Sequence, residues 1–271
     1  MNIKHYRDQI KIVFFDIDDT LYLKHQDHLP DSIQPAIQQL KANGIIPAIA
    51  TGRTYCAFPP VLQRLISEEN IEALVTMNGQ YVSYQHKTVK KYPLAKADLL
   101  RLTQFFQQQQ IEYAFITQQE ILVSNINPPL ENALNPITKN YRLNEDPDYL
   151  LHNDIFQLLA FYPQQQDQLI ADSHILQNVK TVRWHEDSVD IFDAKGSKAR
   201  GIRAMLEHLG LDMQQAMAFG DGLNDIEMLQ EVGVGIAMGN AHEQLKQQAD
   251  YVTDTVAEHG IANFLSKAGL I

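Results

Sequence analysis

The chain has 271 residues, 45% hydrophobic and 20% charged, and its 33 acidic against 22 basic side chains give a formal net charge of −11. This composition predicts a globular protein of one large or two medium domains. The acidic balance, without a Lys/Arg cluster, argues against a nucleic-acid or membrane-surface partner. Cys56 is the only cysteine, and the sequence contains neither a signal-like segment nor an apolar run of about 18 residues, so we expect a cytoplasmic protein without a transmembrane helix.

The first third of the chain alternates strands and helices. Ile10 to Ile17 is a β-branched and aromatic run, which predicts a buried strand, and it ends in acidic residues. A helix is expected from Pro30 to a stop at Gly44. Ile45 to Thr51 and Ala73 to Gly79 repeat the apolar strand pattern around a second helix. This alternation predicts a parallel sheet.

The rhythm changes between about Tyr81 and Asp190. The strand-like segments there are YVSY, TVKKYPL, EYAFIT, EILVSN, FQLLAFYP and VKTVRWH, with helical candidates near 95–110, 128–140 and 165–177. Paired strands followed by helices predict an α+β insert with an antiparallel sheet. From Gly196 the first rhythm returns, with the strands AMAFG and VGIAM between helices. We therefore predict a doubly wound α/β domain formed by residues 1–81 and 191–271, with a second domain, 82–190, inserted into it.

Four polar clusters follow the predicted strands or begin a helix. They are Asp16 to Thr20, Thr51 to Arg53, Gly196 to Lys198, and Gly220 to Asp225. Ligands of doubly wound sheets bind outside the carboxyl ends of the strands, so we expect these clusters to lie close together.

The acidic residues of these clusters predict a magnesium site. Asp16 and Asp18 lie two positions apart and would point to one side of an extended segment, and Asp221 at a neighbouring strand end would add a third carboxylate. Such crowding of negative charge is costly without a cation. Hard carboxylate oxygens, together with a substrate phosphate, are ligands that suit Mg²⁺.

The remaining groups of the clusters could hold a phosphate. Thr51 offers a hydroxyl, Gly52 a backbone N–H that can be approached closely, Lys198 a positive charge and Asn224 an amide. A metal, a carboxylate nucleophile and these donors together favour in-line phosphoryl transfer through an aspartyl-phosphate.

The segments DIDDT, ATGR, KGSKARGI and GDGLNDIEML, in this order, resemble the four motifs of the haloacid dehalogenase superfamily of phosphohydrolases. The resemblance covers the whole layout of the chain. The position of the insert, after Met77-Asn78-Gly79, resembles that of the class IIB caps of Cof-type phosphatases. It implies a Rossmann-like catalytic core with an α+β cap.

The resemblance also implies roles for the individual residues. Asp16 becomes the nucleophile and a metal ligand, while Asp18 becomes the general acid and base and ligates the metal through its carbonyl. Asp221 becomes the further metal ligand, Asp225 orients metal-bound water or Lys198, and Thr20 supports the site. The groups that contact phosphate would be Thr51, Gly52, Lys198 and Asn224.

Some of these residues have simpler interpretations. Thr20 and Asp19 could be turn or cap residues, and Asn224 and Asp225 could cap the following helix. Lys195 competes with Lys198 for the role of the cationic clamp. Arg53 could hold phosphate or form a structural ion pair.

The combined prediction is a magnesium-dependent phosphohydrolase, a monomer or small homo-oligomer. Its substrate would be a small phosphorylated metabolite: a sugar phosphate, a nucleotide or a cofactor phosphate. A phosphomutase of the same superfamily is one alternative. Another is a signalling module that stores an aspartyl-phosphate, although such modules are shorter and lack a large insert.

Overall fold

A computed structural model describes residues 3–271 and divides the chain into two compact units. The first unit contains the residues up to Gly52 together with Pro59–Lys90 and Ser197–Ile271, and the second contains Arg53–Phe58 and Lys91–Gly196. The assignment of residues 82–190 to a cap domain stays a prediction. Within residues 3–271, no helix has the length and apolarity needed to cross a membrane.

The strands form one sheet of eight strands and one of six. In chain order they are β1 (Ile12–Phe15), β2 (Ile46–Ala50), β3 (Ala73–Thr76), β4 (Tyr81–Tyr84), β5 (Lys87–Lys91), β6 (Glu112–Ile116), β7 (Ile121–Val123), β8 (Arg142–Leu143), β9 (Gln157–Phe161), β10 (Val179–His185), β11 (Ser188–Asp193), β12 (Ala216–Gly220), β13 (Val234–Ala237) and β14 (Tyr251–Val252).

The α-helices connect these strands and cover the sheets. In chain order they are α1 (Ile33–Ala42), α2 (Pro60–Glu68), α3 (Lys96–Gln108), α4 (Pro128–Leu134), α5 (Tyr149–His152), α6 (Asp167–Asp172), α7 (Lys198–Leu209), α8 (Ile226–Glu231), α9 (Glu243–Lys246) and α10 (Gly260–Lys267).

The sheet of the first unit has the order β14-β13-β12-β1-β2-β3-β4-β5. Its strands are parallel from β14 to β3, and β4 is antiparallel to β3. The central strand β1, with the sequence IVFF, is buried at every position because strands pair on both its sides and helices cover the sheet. The predicted α/β class with a parallel sheet is confirmed.

Two segments that the sequence assigns to the insert belong to this sheet instead. YVSY forms β4 and TVKKYPL contains β5, and both strands extend the eight-stranded sheet beyond β3. The chain can reverse direction between β3 and β4 because Met77, Asn78 and Gly79 all adopt left-handed backbone conformations, with φ of 51°, 53° and 81°. The alternation of apolar residues predicted these strands but not their pairing partners.

The second unit contains a sheet of order β10-β11-β9-β6-β7-β8, antiparallel except between β7 and β8. The apolar core of this unit includes Leu102 and Phe106 of α3, Phe115 of β6 and Leu158 of β9. The predicted antiparallel sheet is therefore present. The helix expected near 128–140 is shorter, since α4 ends at Leu134.

Candidate functional site

The register of the central strands brings three of the polar clusters to one edge of the eight-stranded sheet. Phe15 of β1 lies opposite Ile49 of β2 and Phe219 of β12, and all three strands run parallel. The residues that follow, Asp16, Thr51 and Asp221, therefore leave the sheet at its carboxyl edge. The backbone N–H of Asp16 still donates to the carbonyl of Phe219, at 3.1 Å.

Lys198 connects two of the acidic residues at this edge. Its Nζ lies 2.7 Å from Asp16 Oδ1 and 2.7 Å from Asp225 Oδ1, and the side chains of Lys198 and Asp225 are both 0% exposed. The lysine enters at the first position of α7, where Ser197 caps the helix by accepting a hydrogen bond from the N–H of Arg200. The competing Lys195, three residues earlier, is exposed.

Asp225 also holds the loop after β12. Its Oδ2 accepts hydrogen bonds from the backbone N–H groups of Asp221 (3.0 Å) and Gly222 (2.9 Å), while its Oδ1 accepts from Lys198. The approach is so close that a Cβ on Gly220 would lie 2.5 Å from Asp225 Cγ, which explains the glycine. Asp225 therefore fixes Lys198 and the backbone of Asp221 together.

Burial and neighbouring charges shift the pKa values of Asp16, Asp221 and Lys198. Desolvation, opposed by Lys198, raises the pKa of Asp16 to about 7, and the charges of Asp225 and Asp18 act in the same upward direction. Desolvation and the charges of Asp16 and Asp225 raise the pKa of Asp221 to about 8. Burial alone would favour the neutral amine of Lys198, but the two adjacent carboxylates outweigh it and raise the pKa of the lysine.

The carboxylates of this group fit a divalent cation. Asp16, Asp221 and Asp225 each offer an oxygen within 4.8 Å of the others, and three carboxylates beside one lysine leave an excess of negative charge. Both oxygens of Asp225 already accept hydrogen bonds. Asp16 and Asp221 are therefore better suited to ligate a metal, and Thr20 Oγ1 orients Asp221 by donating to its Oδ1 at 2.8 Å.

Three of the four residues predicted to bind phosphate lie around a residue that the sequence analysis missed. Asn224 Nδ2 donates to Oδ1 of Asn78 at 3.0 Å, and a Cβ on Gly52 would lie 3.2 Å from the same oxygen. The carbonyl of Thr51 accepts from the backbone N–H of Asn78 at 3.0 Å. Asn78 thus contacts both the second and the fourth polar cluster. The only available sequence signal was the Asn-Gly pair after β3, which is typical of any turn.

Asp18 and Arg53 are the two remaining residues that the sequence proposed for the site. Asp18 is partly buried and forms an isolated parallel bridge with Tyr22. Arg53, within the second unit, donates from Nη1 to the carbonyl oxygens of Ala57 (2.6 Å) and Ile137 (2.9 Å). These contacts give Arg53 a structural role in the segment that follows Gly52.

The fold and these residues define a haloacid dehalogenase-like hydrolase. The sequence model of the haloacid dehalogenase-like hydrolase family matches residues 13–265, and the chain belongs to this family. It is an enzyme of the phosphatase type.

Individual relatives support the same class. The Bacillus subtilis protein YkrA, named as a candidate phosphatase, is 34% identical over 96% of this chain and 98% of its own length. A Streptococcus pyogenes protein, named as a candidate bifunctional phosphatase and peptidyl-prolyl cis-trans isomerase, is 34% identical over 99% of this chain. The chain spans only 56% of the length of that relative. Among solved structures, the subclass IIB sugar phosphatase BT4131 has a TM-score of 0.86 and 27% identity, covering 96% of this chain and 100% of the other.

Proposed function

We propose that the protein is a magnesium-dependent phosphohydrolase that cleaves small phosphorylated metabolites through a phosphorylated Asp16. The observation that carries this proposal is the group formed by the buried Asp16, Lys198 and Asp225 with the partly buried Asp221, at the carboxyl edge of the parallel sheet. Burying this much charge disfavours folding, so its retention is best explained by a chemical role.

In the proposed first step, a carboxylate oxygen of Asp16 attacks the phosphorus of the substrate. The bond between phosphorus and the leaving oxygen breaks, and Asp18 donates a proton to the departing alkoxide. In the second step, Asp18 removes a proton from a water molecule that attacks the phosphorus of the aspartyl-phosphate. This step releases inorganic phosphate and restores the Asp16 carboxylate.

The metal would be held by the Asp16 and Asp221 carboxylates and by the carbonyl of Asp18. When bound, it supplies positive charge that lowers the repulsion between a carboxylate nucleophile and an anionic phosphate. Lys198 contributes a second positive charge beside Asp16, and Asp225 keeps this lysine in place. Thr51, Gly52 and Asn224 would donate to the remaining phosphate oxygens.

The substrate is expected to be a soluble phosphate monoester. The relationship to a sugar phosphatase supports sugar phosphates, and nucleotides and cofactor phosphates are further members of the same chemical class. We expect residues 82–190 to determine which leaving group is accepted. We further expect the enzyme to act in the cytoplasm as a monomer or small homo-oligomer.

The test is phosphate release from p-nitrophenyl phosphate and a panel of phosphorylated metabolites, with and without magnesium. Wild type is compared with Asp16→Asn and with the matched control Asp19→Asn, which removes a nearby carboxylate outside the buried group. Magnesium-dependent release that is lost only in Asp16→Asn is expected. Interconversion of a sugar phosphate without release would indicate a mutase instead, and stable phosphorylation without turnover would indicate a signalling module.

A further inference from the structure

The turn formed by Met77, Asn78 and Gly79, here called the left-handed turn, combines an unusual backbone with close contacts to the site. All three residues have positive φ, although Met77 is fully buried and carries a side chain that disfavours this conformation. Such conformations persist only where the surrounding structure enforces them, and they cluster at functional sites.

Three contacts hold the turn in this conformation. Asn78 N–H donates to the carbonyl of Thr51, and its side-chain Oδ1 accepts from Asn224. Gly79 packs so tightly that a Cβ there would lie 2.0 Å from the carbonyl oxygen of Ser197, the residue that precedes Lys198. The left-handed turn therefore contacts two of the proposed phosphate-binding residues, Thr51 and Asn224, and the residue that precedes a third, Lys198.

We propose that Asn78 is a positioning residue that orients the carboxamide of Asn224 for phosphate, a role that rests on the proposed function. The amide nitrogen of Asn224 carries two hydrogens. Donation of one to Asn78 Oδ1 fixes the plane of the amide and the direction of the second hydrogen. Without this acceptor, the Asn224 side chain samples other rotamers, and binding loses the benefit of a pre-oriented donor.

The burial of Asn78 strengthens this assignment. The residue is 1% exposed, although asparagine is seldom fully buried. A glycine would serve the left-handed backbone equally well without placing a polar group in the interior. The carboxamide is therefore retained for its contacts, and its hydrogen bond from Asn224 joins it directly to the side chain of a proposed phosphate-binding residue.

The test is a double-mutant cycle between Asn78→Gly and Asn224→Ala. Asn78→Gly removes the acceptor while keeping a residue that accepts φ near 53°. Binding of inorganic phosphate is measured by calorimetry in the presence of magnesium, together with KM and kcat for p-nitrophenyl phosphate. Asn70→Gly is the matched control, because Asn70 is also left-handed, with φ of 48°, but is exposed.

We expect Asn78→Gly to raise the phosphate Kd and the KM about threefold to tenfold, with a smaller change in kcat. In the Asn224→Ala background the same change should be less than about twofold, because the residue it acts through is already absent. Asn78→Ala removes the same acceptor but has a different backbone preference. Its effect on the phosphate Kd should likewise be smaller in the Asn224→Ala background than in wild type. Asn70→Gly should match wild type.

Equal effects of Asn78→Gly in both backgrounds, or none in either, would overturn the positioning role. Failure of the proposed function is a separate outcome, seen as absence of turnover in wild type. The calorimetric cycle needs phosphate binding but no turnover, so it still measures the coupling between Asn78 and Asn224 in that case.

Discussion

Lys198 in the first unit and Arg142 in the second both pair with acidic side chains, but in opposite environments. Lys198 is 0% exposed and lies between Asp16 and Asp225. Arg142 is 59% exposed and pairs with Glu120, itself 33% exposed, at 2.8 Å. The two pairs have similar distances, so their difference is one of solvation.

This difference in solvation distinguishes the buried charges of the proposed active site from an ordinary exposed ion pair. A buried pair loses a large hydration energy, which its mutual attraction must offset, whereas an exposed pair loses little hydration energy and gains little attraction. The first unit tolerates the expensive arrangement at the carboxyl ends of its parallel strands. The second unit relies on an apolar core and keeps Arg142 and Glu120 in contact with solvent.

The largest effect is expected from Lys198→Met. The change leaves the carboxylates of Asp16 and Asp225 buried without their cation, which should lower the free energy of unfolding by about 3–5 kcal/mol. Phosphatase activity should fall by at least about 100-fold. Denaturant unfolding and phosphate release measure the two effects. Lys195→Met removes an exposed lysine and should leave both nearly unchanged; a Lys198→Met protein as stable as wild type would contradict the account.

A core substitution in the second unit should act on stability alone. Leu158 is fully buried in the core of that unit, and Leu158→Ala should lower the free energy of unfolding by about 2–4 kcal/mol through lost burial and a cavity. The dependence of the remaining activity on magnesium should not change. Leu169→Ala, at a position 65% exposed, is the control and should have little effect on either.

The stabilising effect of magnesium should increase with pH. Because the pKa values of Asp16 and Asp221 are raised to about 7 and about 8, the folded metal-free protein retains protons that the unfolded chain has released. These retained protons stabilise the folded state relative to the unfolded chain. The stabilisation is fully present below the ordinary aspartate pKa and is lost as pH rises to about 8. Magnesium competes with these protons, so its effect on the melting temperature should be small at pH 6 and larger at pH 8.5. An equal shift at both values, measured by thermal unfolding, would rule out this coupling.

The smallest effect is expected from the exposed pair. Burial alone would raise the pKa of Glu120, but hydrogen bonds from Tyr149 and Arg142 outweigh it and lower this pKa. The resulting stability is present above the ordinary glutamate pKa and is lost as pH falls below it. Arg142→Met should therefore lower the free energy of unfolding at neutral pH by less than about 1 kcal/mol. A loss comparable to that in Lys198→Met would show that exposure does not separate the two pairs.

Site residues could be predicted from the sequence where a reactive side chain directly follows a recognisable strand. Asp16 directly follows an unbroken apolar strand, and the crowding of carboxylates near it is visible without a structure. The structure adds that Asp225, which the sequence left between two roles, contacts Lys198 and the backbone of Asp221 at once. That arrangement depends on a bend after Gly220 that residue types alone do not specify.

The sequence was insufficient where a role depends on pairing or on distant contacts. Tyr81–Tyr84 has the alternation of any partly buried strand, and only the left-handed turn before it brings it antiparallel to β3. Short elements such as α9 and β14 contain too few residues for a periodic signal. Asn78 could not be assigned because its partner, Asn224, lies 146 positions away.

The most direct test of the central claim is to capture the phosphoryl group on Asp16. Asp18→Asn, incubated with p-nitrophenyl phosphate and magnesium, should accumulate the phosphorylated enzyme, because this good leaving group needs little protonation whereas hydrolysis of the aspartyl-phosphate needs the base. After acid quench and borohydride reduction, mass spectrometry should find Asp16 converted to homoserine. Wild-type phosphate release with no labelled residue in the trapped variant, or with a label on another residue, would contradict the account.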